Sequence, residues 1–327
     1  MPVGGTPNIG IDIGGTKILG VVRGPASGET VQAQVNALTP LESHELLAAL
    51  VDVVDQLLAA TPLGSRISSI GVGVPGFVGR DGIATQSPNA PAVVGLDLSG
   101  FLAERFGVPV VVDNDANCAA VATARIDAPD MDHVVVVTLG TGIGGGIVVD
   151  GRILRGHHGY AGEFGHMIVD VGGAECPCGQ FGCWEVLASG SGLGRLARRA
   201  AVEGRAESVL AAAGGDVDAI DGPLVSRCLA VGDAGAAAIF DELASWVAVG
   251  LVNIINILDP AVIVLGGGLV REGDALLGRV RRELAGYPTV AVGRQTQIRA
   301  SGMGNAAGAI GAAMLAETPS EVRRDRH

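Results

Sequence analysis

Residues 9–22 read IGIDIGGTKILGVV, and residues 134–149 read VVVVTLGTGIGGGIVV. Each is an apolar run, a turn of glycine and threonine, and a second apolar run. Short apolar runs bounded by turn residues predict buried strands, so each segment predicts a strand–turn–strand unit. Two further runs, SIGVGVPG at 69–76 and AVIVLGGGL at 261–269, each end a strand in glycine. Ala/Leu-rich stretches at 42–60, 189–213 and 233–258 predict helices, the last mostly apolar and hence buried, and GNAAGAIGAAMLAE predicts a closing helix. Strands alternating with helices indicate an α/β protein. One plan used twice predicts two related domains, with the break at residues 120–130. Residues 1–7 and 318–327 read as frayed tails.

Composition narrows the class. The chain is 48% apolar and carries a net charge of −12, which fits a buried globular protein and repels a phosphate backbone. Neither nucleic acid nor a membrane is an expected partner: no window approaches 18 uninterrupted apolar residues free of glycine and charge. MPVGGTPNIGIDIGG has no basic segment leading an apolar one, so a secretory leader is not indicated and a cytoplasmic location is expected. Of the 22 basic residues only Lys17 is a lysine. It is either a compositional survivor or an ammonium required near a phosphate.

Residues 140–145, GTGIGG, satisfy G-x-G-x-x-G through Gly140, Gly142 and Gly145. A dinucleotide site needs a helix directly after such a turn. Here GIVVDGRILRG follows, with Asp150-Gly151 predicting a hairpin turn between strands, and that context argues against a dinucleotide fold. Glycine turns can still cradle phosphate with successive N–H groups. Thr16 and Thr141 add hydroxyl donors, and Asp12 is suited to hold hydrated Mg²⁺ on a triphosphate.

In VVDNDANCAA, residues 111–120, a strand ends in Asp113-Asn114-Asp115 and a helix follows. Two readings of the acid stand side by side. An Asp there can cap the helix, or, at the end of a strand where ligands bind, it can take a proton from a sugar hydroxyl attacking phosphorus.

Three of the five cysteines fall in AECPCGQFGCWE, residues 174–185. With His166 they give the spacing H-x9-C-x-C-x4-C, a closed structural zinc site of His166, Cys176, Cys178 and Cys183. Cys118 and Cys228 are expected to be buried apolar residues. Glu163 and Glu185 flank the cluster, so a metal would hold two carboxylates suited to vicinal sugar hydroxyls.

Taken together, IDIGGTK, DNDANCAA, LGTGIGGG, GEFGH and CPCGQFGCWE, in this order, resemble the ROK family of bacterial sugar kinases and sugar-responsive repressors, and within it the ATP-dependent glucokinases. The resemblance runs from Ile9 to the closing helix. It implies an actin-like, ribonuclease H-like α/β fold of two lobes closing over the sugar. The small lobe would be residues 1–119 plus 304–327, and the large, zinc-bearing lobe 120–303. The implied reaction transfers the γ-phosphoryl group of MgATP to the 6-hydroxyl of glucose, giving glucose 6-phosphate. Asp115 would be the general base. Gly76, Asn89, Asn114, Asp115, Glu163, His166 and Glu185 would meet the sugar, His166 through the nitrogen not on zinc. Asp12, Gly14, Gly15, Thr16, Lys17, Gly140, Thr141 and Gly142 would face MgATP, with Gly266 and Gly267 by the adenosine. A homo-oligomer, dimer or tetramer, is expected. SPNAPAVVGLDL departs from the family at the sugar loop, lacking the Trp that many relatives carry after SPN. Separately, no sequence feature settles the substrate against another hexose or N-acetylhexosamine (N-acetylmannosamine, N-acetylglucosamine, fructose or allose), or the donor against polyphosphate. The chain opens directly on its first strand, without the helix-turn-helix segment of a repressor. An enzyme is therefore expected rather than a non-catalytic regulator.

Overall fold

The computed structural model describes residues 6–24, 31–61, 66–271, 274–287 and 296–317. Residues 1–5 and 318–327, most of the predicted tails, lie outside the described residues. In chain order the strands are β1 Asn8–Ile13, β2 Lys17–Arg23, β3 Val31–Leu38, β4 Ile70–Val74, β5 Phe77–Val78, β6 Ala84–Gln86, β7 Val110–Asn114, β8 Val134–Leu139, β9 Ile143–Val149, β10 Arg152–Ile153, β11 Val262–Gly266 and β12 Gln297–Ala300. The helices are α1 Ser43–Ala60, α2 Leu98–Phe106, α3 Asp115–Asp127, α4 Trp184–Ala188, α5 Gly190–Val202, α6 Glu207–Ala212, α7 Gly222–Ala230, α8 Ala234–Leu258, α9 Gly268–Arg271, α10 Asp274–Ala285 and α11 Ala307–Ala316.

Two five-stranded sheets follow one plan, with orders β3-β2-β1-β4-β7 and β10-β9-β8-β11-β12. In the first, β2 runs antiparallel to both β1 and β3, whereas β4 is parallel to β1 and to β7. In the second, β11 is parallel to both β8 and β12. Packing divides the chain into two compact units: residues 1–132, 146–162 and 305–327 form one, and 133–145 with 163–304 the other. The boundary expected at residue 119 therefore falls inside α3. The physical reason is α11, which lies so close along α3 that a Cβ on Gly311 would stand 1.7 Å from Cys118 O.

Within the first unit the central strand β1 (NIGIDI) is buried at every position but Asp12, which is half-buried, while edge strand β3 (VQAQVNAL) alternates half-buried and exposed. Leu46, Leu50, Val53, Val54 and Leu57 of α1 share one face and are wholly buried, each side chain contributing roughly 1.5–3 kcal/mol. On α11, small residues let helix and sheet backbones nearly touch. A Cβ on Gly71 would lie 1.8 Å from Ala312 O.

In the second unit α8 is the central helix. It is long and apolar enough to cross a membrane by length and composition, but it packs in a protein core as predicted: Leu243, Val247 and Leu251 are fully buried. The ring of Trp184 fills the space where Gly250 has no side chain, and its Nε1 donates to Trp246 O at 2.8 Å. The helix expected over 189–213 is two helices, α5 and α6. Gly204 breaks it at φ +73°, with its N–H turned back to Ala201 O, a backbone conformation glycine adopts without strain.

Candidate active site and metal centre

Strands β1, β4 and β7 are parallel neighbours, so their C-terminal ends share one edge of the sheet. Register places Asp12 beside Gly73, Gly73 beside Asp113, and Val74 beside Asn114. Asp115 opens α3 one residue later. A Cβ on Gly73 would lie 3.5 Å from both Asp12 Oδ1 and Asp115 Cα, which locates the two acids on either side of one glycine. Burial, and then the like charge of Asp115, push the Asp12 carboxyl up to about 7. A carboxylate in that state is stabilised by a cation, and the donor set fits hydrated Mg²⁺.

The two readings of Asp115 are separated by the capping geometry. Asn114 is the N-cap of α3: its side chain accepts from Asn117 N at 3.0 Å, and its Nδ2 donates to Gly76 O at 2.9 Å. Asp115 is thus inside the helix, its Oδ1 accepting from Ala116 N. Gly76 holds φ +97°, and a Cβ there would strike Gln86 O at 2.1 Å.

The β1–β2 turn closes through Gly14 N to Lys17 O at 2.8 Å, and Thr39 Oγ1 ties down Gly14 O. Gly15, Thr16 and Lys17 are exposed. Asn89, also exposed, brings its carbonyl against Gly15, where a Cβ would sit 2.8 Å away. The sugar-loop and phosphate-turn candidates are therefore in contact.

After Gly142 the chain continues as strand β9, and the Asp150-Gly151 turn that follows, in the segment 146–162 of the first unit, has both φ values positive, as a type I′ hairpin requires. This removes the dinucleotide reading. The carbonyls of Gly140 and Thr141 accept from Gly190 N and Ser191 N of α5. A helix start at 189 was expected, and Ser189 is its N-cap, but the contact of its first turn with the Gly140 loop was not foreseen. Gly267 packs its backbone on Leu139, so the Gly140 loop and the Gly266-Gly267 turn lie at adjacent strand ends.

His166, Cys176, Cys178 and Cys183 converge, all four ligand atoms lying within 4.8 Å of one another. His166 Nδ1 is 3.8 Å from Cys176 Sγ, and Cys178 Sγ is 3.7 Å from Cys183 Sγ. A zinc tetrahedron with bonds of about 2.3 Å has edges of roughly 3.8 Å, so the set fits Zn²⁺ and leaves His166 Nε2 for another partner. Burial and the two neighbouring thiols push Cys183 up to about 12, and a cation is what makes three clustered thiolates tenable. Cys118 and Cys228 are buried elsewhere, as expected. The knot is framed by Trp184 N to Met167 O and Val169 N to Gly182 O.

Glu185 Oε2 accepts from Ile143 N at 2.7 Å and occupies the space a side chain on Gly142 would need. One carboxylate thus joins the knot to the Gly140 loop. Burial pushes the Glu163 carboxyl up, with Glu185 adding to it and His166 opposing.

The chain is similar to known proteins over nearly its whole length. The model of the ROK family matches residues 8–319. A glucokinase of Streptomyces coelicolor is 36% identical, covering 96% of this chain and 98% of its own. An N-acetyl-D-glucosamine kinase of Erwinia tasmaniensis is 34% identical, covering 94% and 98%. The crystal structure of a ROK family glucokinase from Streptomyces griseus, in complex with glucose and AMPPNP, superposes with a TM-score of 0.77 at 36% identity, covering 95% of this chain and 99% of that one. A family match over residues 8–319, with relatives 34% and 36% identical and covered over nearly their whole length, makes this chain a member of the ROK family, with its actin-like α/β fold.

Proposed function

We propose that this chain is an ATP-dependent hexose kinase that transfers the γ-phosphoryl group of MgATP to the 6-hydroxyl of glucose. The observation that carries the reading is the paired acid edge. Asp12 is destabilised as an anion until a cation arrives, and Asp115 is relieved of capping by Asn114.

In the first unit Asp12 would hold the Mg²⁺ of the nucleotide, which neutralises β- and γ-phosphate charge when bound. The N–H groups of Gly15 and Thr16 would face the phosphates, with Gly14 closing the turn and Lys17 nearby. Asp115 accepts the proton of the 6-hydroxyl as its oxygen attacks phosphorus. Asn114, Gly76 and Asn89 orient the sugar. In the second unit the N–H groups of Thr141 and Gly142 and the Thr141 hydroxyl would face phosphate, with Gly140 closing that turn through its N–H to Gly142 O, and Gly266 and Gly267 would lie by the adenosine. Glu163, His166 Nε2 and the remaining oxygen of Glu185 accept or donate at sugar hydroxyls. His166, Cys176, Cys178 and Cys183 would hold Zn²⁺, which would supply rigidity there rather than chemistry. A cytoplasmic enzyme fits, because ATP is supplied there and the thiols stay reduced. A homodimer is the assembly we assign by symmetry rules.

The second reading is the same chemistry on another hexose or an N-acetylhexosamine. It draws on the similarity to an N-acetylglucosamine kinase and on the missing Trp in SPNAPAVV. ADP release measured with glucose, mannose, fructose and the N-acetylhexosamines, with polyphosphate as an alternative donor and zinc quantified in parallel, separates these. Highest kcat/KM on glucose with ATP is expected. No turnover with any sugar and donor would return the chain to a sensor role.

A further inference from the structure

Asp113 stands one residue before the Asn114–Asp115 pair and has no part in the roles above, yet both of its oxygens are committed. Oδ1 accepts from Asn114 N at 2.8 Å and from Asn117 Nδ2 at 2.9 Å, and Oδ2 accepts from Arg155 Nε at 2.7 Å. The carboxylate is 7% exposed. A buried carboxylate bonded on three sides fixes what it touches, here the 113–114 peptide and the first turn of α3.

Arg155 comes from a segment far along the chain. Leu154 N donates to Ile147 O, and Ala161 N to Arg155 O, closing a loop over 155–161. Tyr160 then packs edge-on against Phe77 at 5.4 Å, and its hydroxyl pairs with Thr85 Oγ1. The segment is tied down on both sides of Arg155, so this guanidinium is held in place. The thiol of Cys118 reports the local charges. After burial, Asp113, Asp12 and Asp115 push it up, and Arg155 opposes them. Arg155 is the cation set against three clustered carboxylates.

We infer that the Arg155–Asp113 ion pair is a positioning device for the proposed base, holding the strand end and helix start from which Asp115 projects. The inference rests on the reading of Asp115 as the base. The proposed function gives neither member of the pair a contact with substrate.

The test uses the full chain and steady-state kinetics of R155M, D113N and D113N/R155M, each also combined with D115N, together with R155K. R155M should lower kcat at least tenfold while KM for glucose and for MgATP shift less than threefold. R155K should recover part of the loss, because charge is restored without the planar donor geometry. D113N/R155M should be no slower than the slower single variant. On the residual turnover of D115N, R155M should have less than a twofold effect, because the group it positions is already gone. A folded R155M with kcat within twofold of wild type would overturn the inference, as would a tenfold loss that persists undiminished on D115N. If R155M does not fold, D113N/R155M, which buries no unpaired charge, decides: wild-type kcat there overturns it. If D115N itself retains most of its turnover, the base assignment fails instead, whatever Arg155 does.

Discussion

In the first unit Asp12, Asp113 and Asp115 stand at the ends of β1 and β7 and the start of α3, placed by a parallel hydrogen-bond ladder and an Asn cap. In the second unit Glu163, His166 and Glu185 hang on a largely irregular segment that closes on itself through four metal-ligating side chains. Regular backbone orients the first set, so its acids keep their geometry without a bound ion and bear an electrostatic cost instead. The second set lacks a ladder of its own, and under the proposed function it would depend on a cation held by the four converging ligand atoms and on the buried indole of Trp184. Preorganisation of a polar site is thus achieved in two ways within one chain.

The largest expected effect is at the ladder-built edge. Asp115→Asn should lower kcat about 10³-fold while glucose binding, read by calorimetry, stays within a few-fold of wild type. Retention of most turnover would remove the base. Next comes the knot. Stripping zinc, or Cys183→Ser, should cost roughly 4 kcal/mol of stability and raise the KM for glucose tenfold or more, with a smaller change for MgATP. An unchanged melting curve and KM after metal removal would make the two regions alike and end the comparison. Trp184→Ala, which empties the pocket over Gly250 and removes the bond to Trp246 O, should cost about 3 kcal/mol, and its effect on catalysis should fall on glucose KM first.

The smallest effect concerns the electrostatic cost at Asp12. Its carboxyl is raised from 3.8 to about 7 in the fold, so between those values the folded state holds the extra proton. Stability therefore falls as pH rises from about 4 to about 7 and stays lowered above that. Asp12→Asn should stabilise the ligand-free protein at pH 8 by about 2 kcal/mol, allowing for the partial exposure of Asp12, and should leave stability at pH 4 unchanged. MgATP affinity of the wild type should rise through pH 7. Denaturation at both pH values checks the first statement and titration calorimetry the second. Identical pH profiles for the two proteins would show that Asp12 carries no such burden.

Much of this was legible without coordinates. Apolar runs ending in glycine marked the strands, the Asp150-Gly151 pair marked a hairpin rather than a dinucleotide turn, and H-x9-C-x-C-x4-C marked the knot. These are local signals, set by backbone sterics and ligand spacing. The N-cap was ambiguous between neighbours because Asn114 and Asp115 have nearly equal capping propensity, and the break at Gly204 hid in a helix-rich composition.

What the sequence alone determined was the alternation of strands and helices, the repeated plan and the residue types that carry chemistry. What only the tertiary structure decided was which of these meet: Arg155 with Asp113, Glu185 with Ile143 N, α11 with Gly71, and residues 146–162 with the first unit. One arginine among many carries no mark of its partner. Contacts between residues far apart in the chain are selected by packing and by the need to satisfy buried polar groups together, and no short stretch of sequence records that selection.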